Sequence, residues 1–244
     1  MGNNPTNLID PDGGRPTAYE AALMAAHTYG DSKVKLAGGW TLTKSLGIGS
    51  TGLLSNLYKR KKKNGKMEFA HVYAGTQDLI DGLNDLTQSF GLASQYDQAY
   101  KINNRINKIY KNQELIFIGH SLGGGLANFS ALQSNRESIT FNPAWISYAT
   151  LFRYGLQNKP DSKLTNYILF GEILNESQNH LTLLLNKKGK NLFINEQPNT
   201  YKTNTLEKHT IWPMVSSLKF LRDFTLTPQF FRTSIDNTRV KKDF

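Results

Sequence analysis

Leu115-Ile116-Phe117-Ile118-Gly119-His120-Ser121-Leu122-Gly123-Gly124-Gly125 decides the architecture. Four consecutive apolar residues suit a buried parallel strand. The following stretch, Leu122 to Gln133, is rich in Gly, Ala and Leu and reads as a helix. Between them, Gly119-His120-Ser121-Leu122-Gly123 fits Gly-x-Ser-x-Gly, the nucleophile elbow. The pentapeptide alone arises often by chance, but the strand–turn–helix setting gives it meaning. In such a turn the backbones at Gly119 and Gly123 come too close for side chains, and the Ser121 hydroxyl stands above the sheet. The N-terminus of the helix then points at a developing oxyanion, with Leu122 N–H as one donor.

Strands and helices alternate outward from this point. Before it, Thr17 with Glu20 forms a capping box that opens a helix ending near Gly30. Residues 34–45 and 53–59 read as strands of a meander, and Glu68 to Ala74 as another strand. Leu79, Leu83 and Leu86 recur at helical spacing, as do Tyr96, Tyr100, Ile106 and Ile109-Tyr110. After it come a strand at 138–142, a helix at 146–154 and a strand at 164–170. Leu181 to Leu185 also reads as a strand. This order predicts an α/β fold with a mostly parallel central sheet and helices on both faces.

A serine hydroxyl needs a base to take its proton. The histidines are His27, His71, His120, His180 and His209. His120 adjoins the serine, so its side chain should point elsewhere. His27 lies in the first helix and His71 in a strand, where packing explains both. The usual order on this scaffold is Ser, acid, His, which leaves His209, with His180 as the alternative. Glu172, at the end of the strand Asn166 to Phe170, is the expected acid, with Asp161 and Glu176 in reserve. Its task is to hold the base's tautomer and stabilise the imidazolium. The second oxyanion donor should come from an earlier strand-to-helix loop, and Thr76 in Tyr73-Ala74-Gly75-Thr76-Gln77-Asp78 stands there.

Composition bounds the rest. The chain has 244 residues, 29 Lys plus Arg against 19 Asp plus Glu, and a net charge of +10. It has no cysteine, which excludes a disulfide framework, a cysteine nucleophile and a thiolate zinc site. An apolar share of 39% with 13 Phe, 11 Tyr and 3 Trp suits a packed core. No apolar run approaches the roughly 20 residues that span a bilayer. Met1-Gly2-Asn3-Asn4-Pro5-Thr6 fits the loose myristoylation pattern, though Pro5 inside it argues against that reading. Part of the positive charge lies in Lys59-Arg60-Lys61-Lys62-Lys63-Asn64-Gly65-Lys66, a hairpin tip turning at Asn64-Gly65. It is either a solvated tip or a contact for anionic lipid or nucleic acid.

Four stretches together resemble the lipase class 3 family of α/β-hydrolases. They are Ala74-Gly75-Thr76 with Asp78 and Asp85, the elbow, Thr140-Phe141-Asn142-Pro143-Ala144, and Gly171-Glu172 with His209. The likeness covers about residues 17–225. That family usually has Arg-Gly-Thr where Ala74-Gly75-Thr76 stands here, and an aspartate where Glu172 stands. The resemblance implies ester hydrolysis on lipids, often on phospholipids in bacterial members. Separately, Gly2-Asn3-Asn4-Pro5-Thr6-Asn7-Leu8-Ile9-Asp10-Pro11-Asp12-Gly13 resembles the motif that closes the core of Rhs (YD-repeat) polymorphic toxins. That resemblance implies a remnant and linker over 1–16 and a hydrolase toxin domain over 17–244. It also implies delivery into a target cell by a parent Rhs shell or secretion machinery, action at the membrane or periplasm, and a cognate immunity protein.

The expected activity is therefore antibacterial hydrolysis of acyl esters in membrane phospholipids, through an acyl-enzyme on Ser121, with neither metal nor cofactor and no nucleic acid partner. Trp145, Tyr148, Phe152 and Tyr154 are expected in the core ahead of an acyl pocket or lid. Three other readings compete: a serine esterase or thioesterase on soluble substrates, a basic toxin acting on nucleic acid, and a hydrolase-like binding module that does not need Ser121.

Overall fold

The computed structural model describes residues 15–48, 52–75, 89–196 and 207–225. A seven-stranded sheet forms its centre. In chain order the strands are β1 (Thr41–Ile48), β2 (Leu54–Lys61), β3 (Met67–Tyr73), β4 (Glu114–His120), β5 (Glu137–Phe141), β7 (Leu164–Leu169) and β9 (Lys190–Ile194). They lie side by side in that order. β2 runs antiparallel to both its neighbours, and β3, β4, β5, β7 and β9 are parallel. A small antiparallel pair, β6 (Ile146–Ser147) with β8 (Leu185–Asn186), stands apart.

The apolar run in β4 shows why the sheet must be covered twice. Successive residues of a strand face opposite sides. Ile116 and Ile118 enter one core cluster with α1 (Ala18–Thr28) and α6 (Ile211–Thr225), while Leu115 and Phe117 enter another. The second is built with α2 (Ser89–Ile109) and α3 (Leu122–Ser134). α1 carries the expected capping box: Glu20 N–H donates to Thr17 Oγ1 at 3.2 Å, and Thr17 N–H to Glu20 Oε2 at 3.1 Å. Its alanines at 18, 21, 22, 25 and 26 are buried, so the helix lies close against the sheet and α6.

Several boundaries differ from those read in the sequence. Residues 34–40 are loop, and β1 begins only at Thr41. Leu181 to Leu184 forms turns closed by Leu184 N–H on the Leu181 carbonyl, and only Leu185-Asn186 is strand. Ile146-Ser147 is strand before the helix α4 (Tyr148–Arg153) begins, capped by Ser147 Oγ. β9 was not anticipated, because only Leu192, Phe193 and Ile194 interrupt a polar, lysine-rich stretch at the sheet's edge. The helical pattern at 79–86 lies outside the described residues. Of the four aromatic residues expected in the core, Trp145 is buried, Tyr154 is half-buried and bonded to Asp97, and Tyr148 and Phe152 are exposed.

The basic hairpin turns at Asn64-Gly65, with Gly65 at φ +83°. Lys61 pairs with Met67, and Glu68 in turn with Glu114, the first residue of β4. The tip therefore lies at the amino end of β4 and Ser121 just beyond its carboxyl end, about 20 Å away at 3.3 Å per residue. Some of its charge is already paired. Arg60 is buried against Glu68 at 2.7 Å and Glu20 at 3.1 Å, and Lys62 meets Glu114 at 2.5 Å.

Candidate active site

β4 delivers Ser121 to the carboxyl edge of the sheet. The turn there is strained: Ser121 has φ 57° and ψ −130°, a conformation costing on the order of 1–3 kcal/mol for a non-glycine residue. Surrounding backbone enforces it. Ser121 N–H donates to Phe141 O at 3.0 Å, and Ser121 O accepts from Gly124 and Ala144 N–H, each at 2.9 Å. The glycines are required by space. A Cβ on Gly119 would lie 2.1 Å from Gly123 O, and one on Gly123 would lie 2.4 Å from Tyr73 O. Leu122 is the first residue of α3, so its N–H has no intrahelical acceptor and is available to a ligand beside Ser121.

β7 ends at Leu169, and Glu172 follows as the N-cap of α5 (Ile173–Asn179). Its side chain is fully buried. Oε1 accepts from Leu174 N–H at 2.7 Å and Oε2 from Asn175 N–H at 2.9 Å. Glu172 thus caps a helix and keeps a lone pair on Oε1 for a third donor. That donor is His209 Nδ1. His209 closes a 3-10 turn, Glu207–His209, immediately before α6, which packs on α1. A carboxylate can only accept, so the Nδ1 proton belongs to the imidazole. Nε2 then offers its lone pair, and Ser121 Oγ lies 2.7 Å from it. Serine, base and acid are thus in hydrogen-bond contact in sequence, the geometry needed to activate a hydroxyl nucleophile.

The other histidines and carboxylates stand elsewhere. His180 is exposed at the end of α5, as is Glu176 in its first turn. Asp161 Oδ2 accepts from Gly189 N–H at 3.0 Å, a loop contact. His27 bonds Tyr58 at 2.9 Å, and His71 is buried beside Ser55, where burial holds its pKa down to about 3. Thr76, with Asp78 and Asp85, lies outside the described residues. The last described residue before it, Gly75, approaches the site closely: a Cβ there would be 3.0 Å from Ser121 Cβ.

The roles of three supporting residues were not legible in the sequence, although Asn142 stands in one of the four stretches that carry the resemblance. Asn142, at φ 41°, accepts Leu169 N–H on Oδ1 at 3.0 Å and donates Nδ2–H to Lys208 O at 3.3 Å. It thereby joins the strand that precedes Glu172 to the turn that carries His209. His120 and Tyr29 lie in contact behind His209, Tyr29 Oη 2.7 Å from His120 Nδ1. The only signal for His120 was its place in the elbow, and for Tyr29 its place at the end of α1.

Fold and site define a class, the lipase-type carboxylic-ester hydrolases on an α/β-hydrolase scaffold. The comparisons bear this out. Residues 19–206 match the phospholipase-like family described as the Tle-like phospholipase domain, and the chain belongs to that family. It is 27% identical over 228 residues to an extracellular phospholipase A1 of Serratia liquefaciens, covering 82% of this chain and 70% of that protein. Lipase II of Rhizopus niveus shares the fold at TM-score 0.53 and 14% identity, over 78% of this chain and 81% of that one. The Rhizomucor miehei lipase propeptide complex gives 0.51 at 15%, over 82% and 77%. The enzyme is a lipase/phospholipase-type ester hydrolase.

Proposed function

We propose that the protein hydrolyses acyl esters of membrane glycerophospholipids through Ser121, His209 and Glu172. The observation that carries this reading is the contact series: Ser121 Oγ at 2.7 Å from His209 Nε2, with Nδ1 on a buried carboxylate. Ser121 attacks the acyl carbonyl while His209 takes its proton. The oxyanion is met by Leu122 N–H and, as the second donor, by Thr76. His209 then protonates the leaving lysolipid, and water, activated by the same base, releases the fatty acid. Removing one oxyanion donor typically costs about 3–4 kcal/mol of barrier.

The carboxyl end of the sheet supports a lipid substrate. Phe170, two residues before Glu172, is exposed and stacks on Phe193 at 5.1 Å. Leu183 and Leu184, in the turn after α5, are 92% and 65% exposed. Trp212, just after His209, is exposed as well. Phe170 and Trp212 stand beside Glu172 and His209 at the nucleophile's end of the sheet, Leu183 and Leu184 adjoin the small β6–β8 pair that follows Ala144, and the basic hairpin lies at the other end. The apolar rim is therefore the surface that meets the bilayer.

The similarity to an extracellular phospholipase A1 favours cleavage of that type and an extracellular destination. The Rhs-like residues 2–13 favour a toxin tip delivered into a competitor cell, with residues 17–244 as the active domain and a cognate immunity protein to block it. The test is acyl release from phosphatidylethanolamine and phosphatidylglycerol vesicles by wild type and Ser121→Ala. Fatty acid from wild type alone supports the proposal. Turnover of short soluble esters without vesicle hydrolysis overturns the membrane substrate. Equal release by both proteins overturns Ser121 as nucleophile.

A further inference from the structure

A line of hydrogen bonds behind the site runs from the end of β3 to the backbone of the base. Gly75 N–H donates to Tyr29 Oη at 2.9 Å. The Tyr29 hydroxyl lies 2.7 Å from His120 Nδ1, and His120 Nε2 lies 2.7 Å from His209 O. Its directions are forced. A backbone N–H can only donate and a carbonyl can only accept. His120 Nε2 must therefore carry the proton, Nδ1 must be bare, and the tyrosine hydroxyl must donate to it while accepting from Gly75. The groups hold these states: burial, then the nearby His209, pushes His120 down to about 3, and burial raises the Tyr29 phenol.

His71 provides the internal contrast. It is as buried and as neutral, yet its Nδ1 has no partner among the described residues, and its ring packs against Tyr73 and Phe117. His71 is explained by packing. His120 is not, because both its nitrogens are spent, one of them on the backbone of His209.

We propose that His120 is a positioning residue, which together with Tyr29 locks the base-bearing turn and the end of β3 to the strand that carries Ser121. The inference rests on the assignment of Ser121 and His209 above. The parts of the site come from separate elements: the nucleophile from the end of β4, the base from the turn before α6, and Gly75, which closes on Ser121, from the end of β3. Proton transfer and attack need these parts held to a fraction of an ångström. The elbow is the fixed member, and His120 immediately precedes Ser121 in it. Its bond to the His209 carbonyl, at 2.7 Å, is shorter than the one by which Asn142 reaches the Lys208 carbonyl, at 3.3 Å. On the other side, Gly75 leaves no slack, since a Cβ there would lie 2.7 Å from Tyr29 Oη.

The test measures kcat and KM on p-nitrophenyl butyrate, with thermal midpoints, for wild type, Tyr29→Phe, His120→Gln, His120→Asn and the double variant Tyr29→Phe/His120→Asn. Glutamine can set an N–H where Nε2–H stands, whereas asparagine reaches only the Nδ1 position. His120→Asn should lower kcat about thirtyfold and His120→Gln no more than about fivefold, each with KM changed less than about twofold. Tyr29→Phe, which keeps the ring, should cost about tenfold in kcat, and the double variant should be no worse than His120→Asn alone. If His120→Asn does not fold, the Tyr29→Phe and His120→Gln predictions stand by themselves. Three results overturn the proposal: asparagine equal to glutamine, a rise in KM at constant kcat, or losses that multiply in the double variant. All are read on an active wild type. A wild type inert on this ester and on vesicles overturns the assignment of Ser121 and His209 instead, and this inference with it.

Discussion

Replacing Glu172 by glutamine separates its two tasks. The carboxylate accepts three N–H groups: Leu174 and His209 Nδ1 on Oε1, and Asn175 on Oε2. Glutamine keeps one oxygen. Placed at Oε1, that oxygen retains two of the three bonds and turns its NH2 against Asn175 N–H. Placed at Oε2, it retains one and forces His209 into the wrong tautomer. In the first arrangement His209 stays correctly oriented but loses the charge beneath it, and in the second it is held in the wrong tautomer, so neither keeps the full effect of the carboxylate. Two unit charges about 4 Å apart attract by about 4 kcal/mol at an effective dielectric of about 20. At about 1.4 kcal/mol per decade, kcat on a soluble ester should fall about a thousandfold. One unsatisfied buried donor should lower folding stability by about 1–3 kcal/mol. Stopped assays of p-nitrophenyl butyrate turnover and urea unfolding measure the two effects on the same samples. A kcat loss under tenfold, alongside the expected destabilisation, would refute the argument: Glu172 would then be a helix cap and nothing more.

The remaining predictions probe other parts of the molecule. Ser121→Gly should abolish ester turnover yet raise unfolding free energy by about 1 kcal/mol, because glycine tolerates the positive φ; chemical denaturation would show it, and a loss of stability would contradict the strain. His71 stays neutral in the fold down to about pH 3 but protonates near 6.5 once unfolded. The unfolded state therefore binds the extra proton between those values, and stability falls as pH drops through them. His71→Gln should reduce that slope by about 1.4 kcal/mol per pH unit relative to wild type, as read from midpoints of urea unfolding between pH 4 and 6. Leu183→Ser with Leu184→Ser should weaken vesicle binding at least about tenfold and leave soluble-ester turnover unchanged. Lys61→Ser with Lys63→Ser, at the far end, should affect vesicle binding much less, and the reverse order in co-sedimentation would place the bilayer at the wrong pole.

How much of this was written in the sequence differs by element. The elbow was legible because close packing leaves no substitute for Gly119 and Gly123, so sterics wrote itself into the chain. Glu172 and His209 were singled out by chain order and strand ends, and the structure brings both to Ser121. The length of α2 and the presence of β9 were not legible. β9 is an edge strand whose pairing with β7 is set by tertiary contact, not by its own apolar pattern. Leu181 to Leu184 looked like a strand for the opposite reason: its leucines are there, but Leu183 and Leu184 face solvent. The hydrogen bonds of His120 and Asn142 depend on residues 89 and 66 positions away along the chain. No local pattern announces such bonds.

The opposed placement of hairpin and nucleophile gives the molecule a front and a back. Asn64-Gly65 is a handle on the back, exposed and at the opposite end of β4 from Ser121. With no cysteine in the chain, one introduced at Asn64 would be the sole thiol. A dye or a surface linker fastened there would leave the catalytic end facing outward. Single molecules could then be watched landing on a supported bilayer, and an immobilised layer of enzyme would present its working face to the lipid.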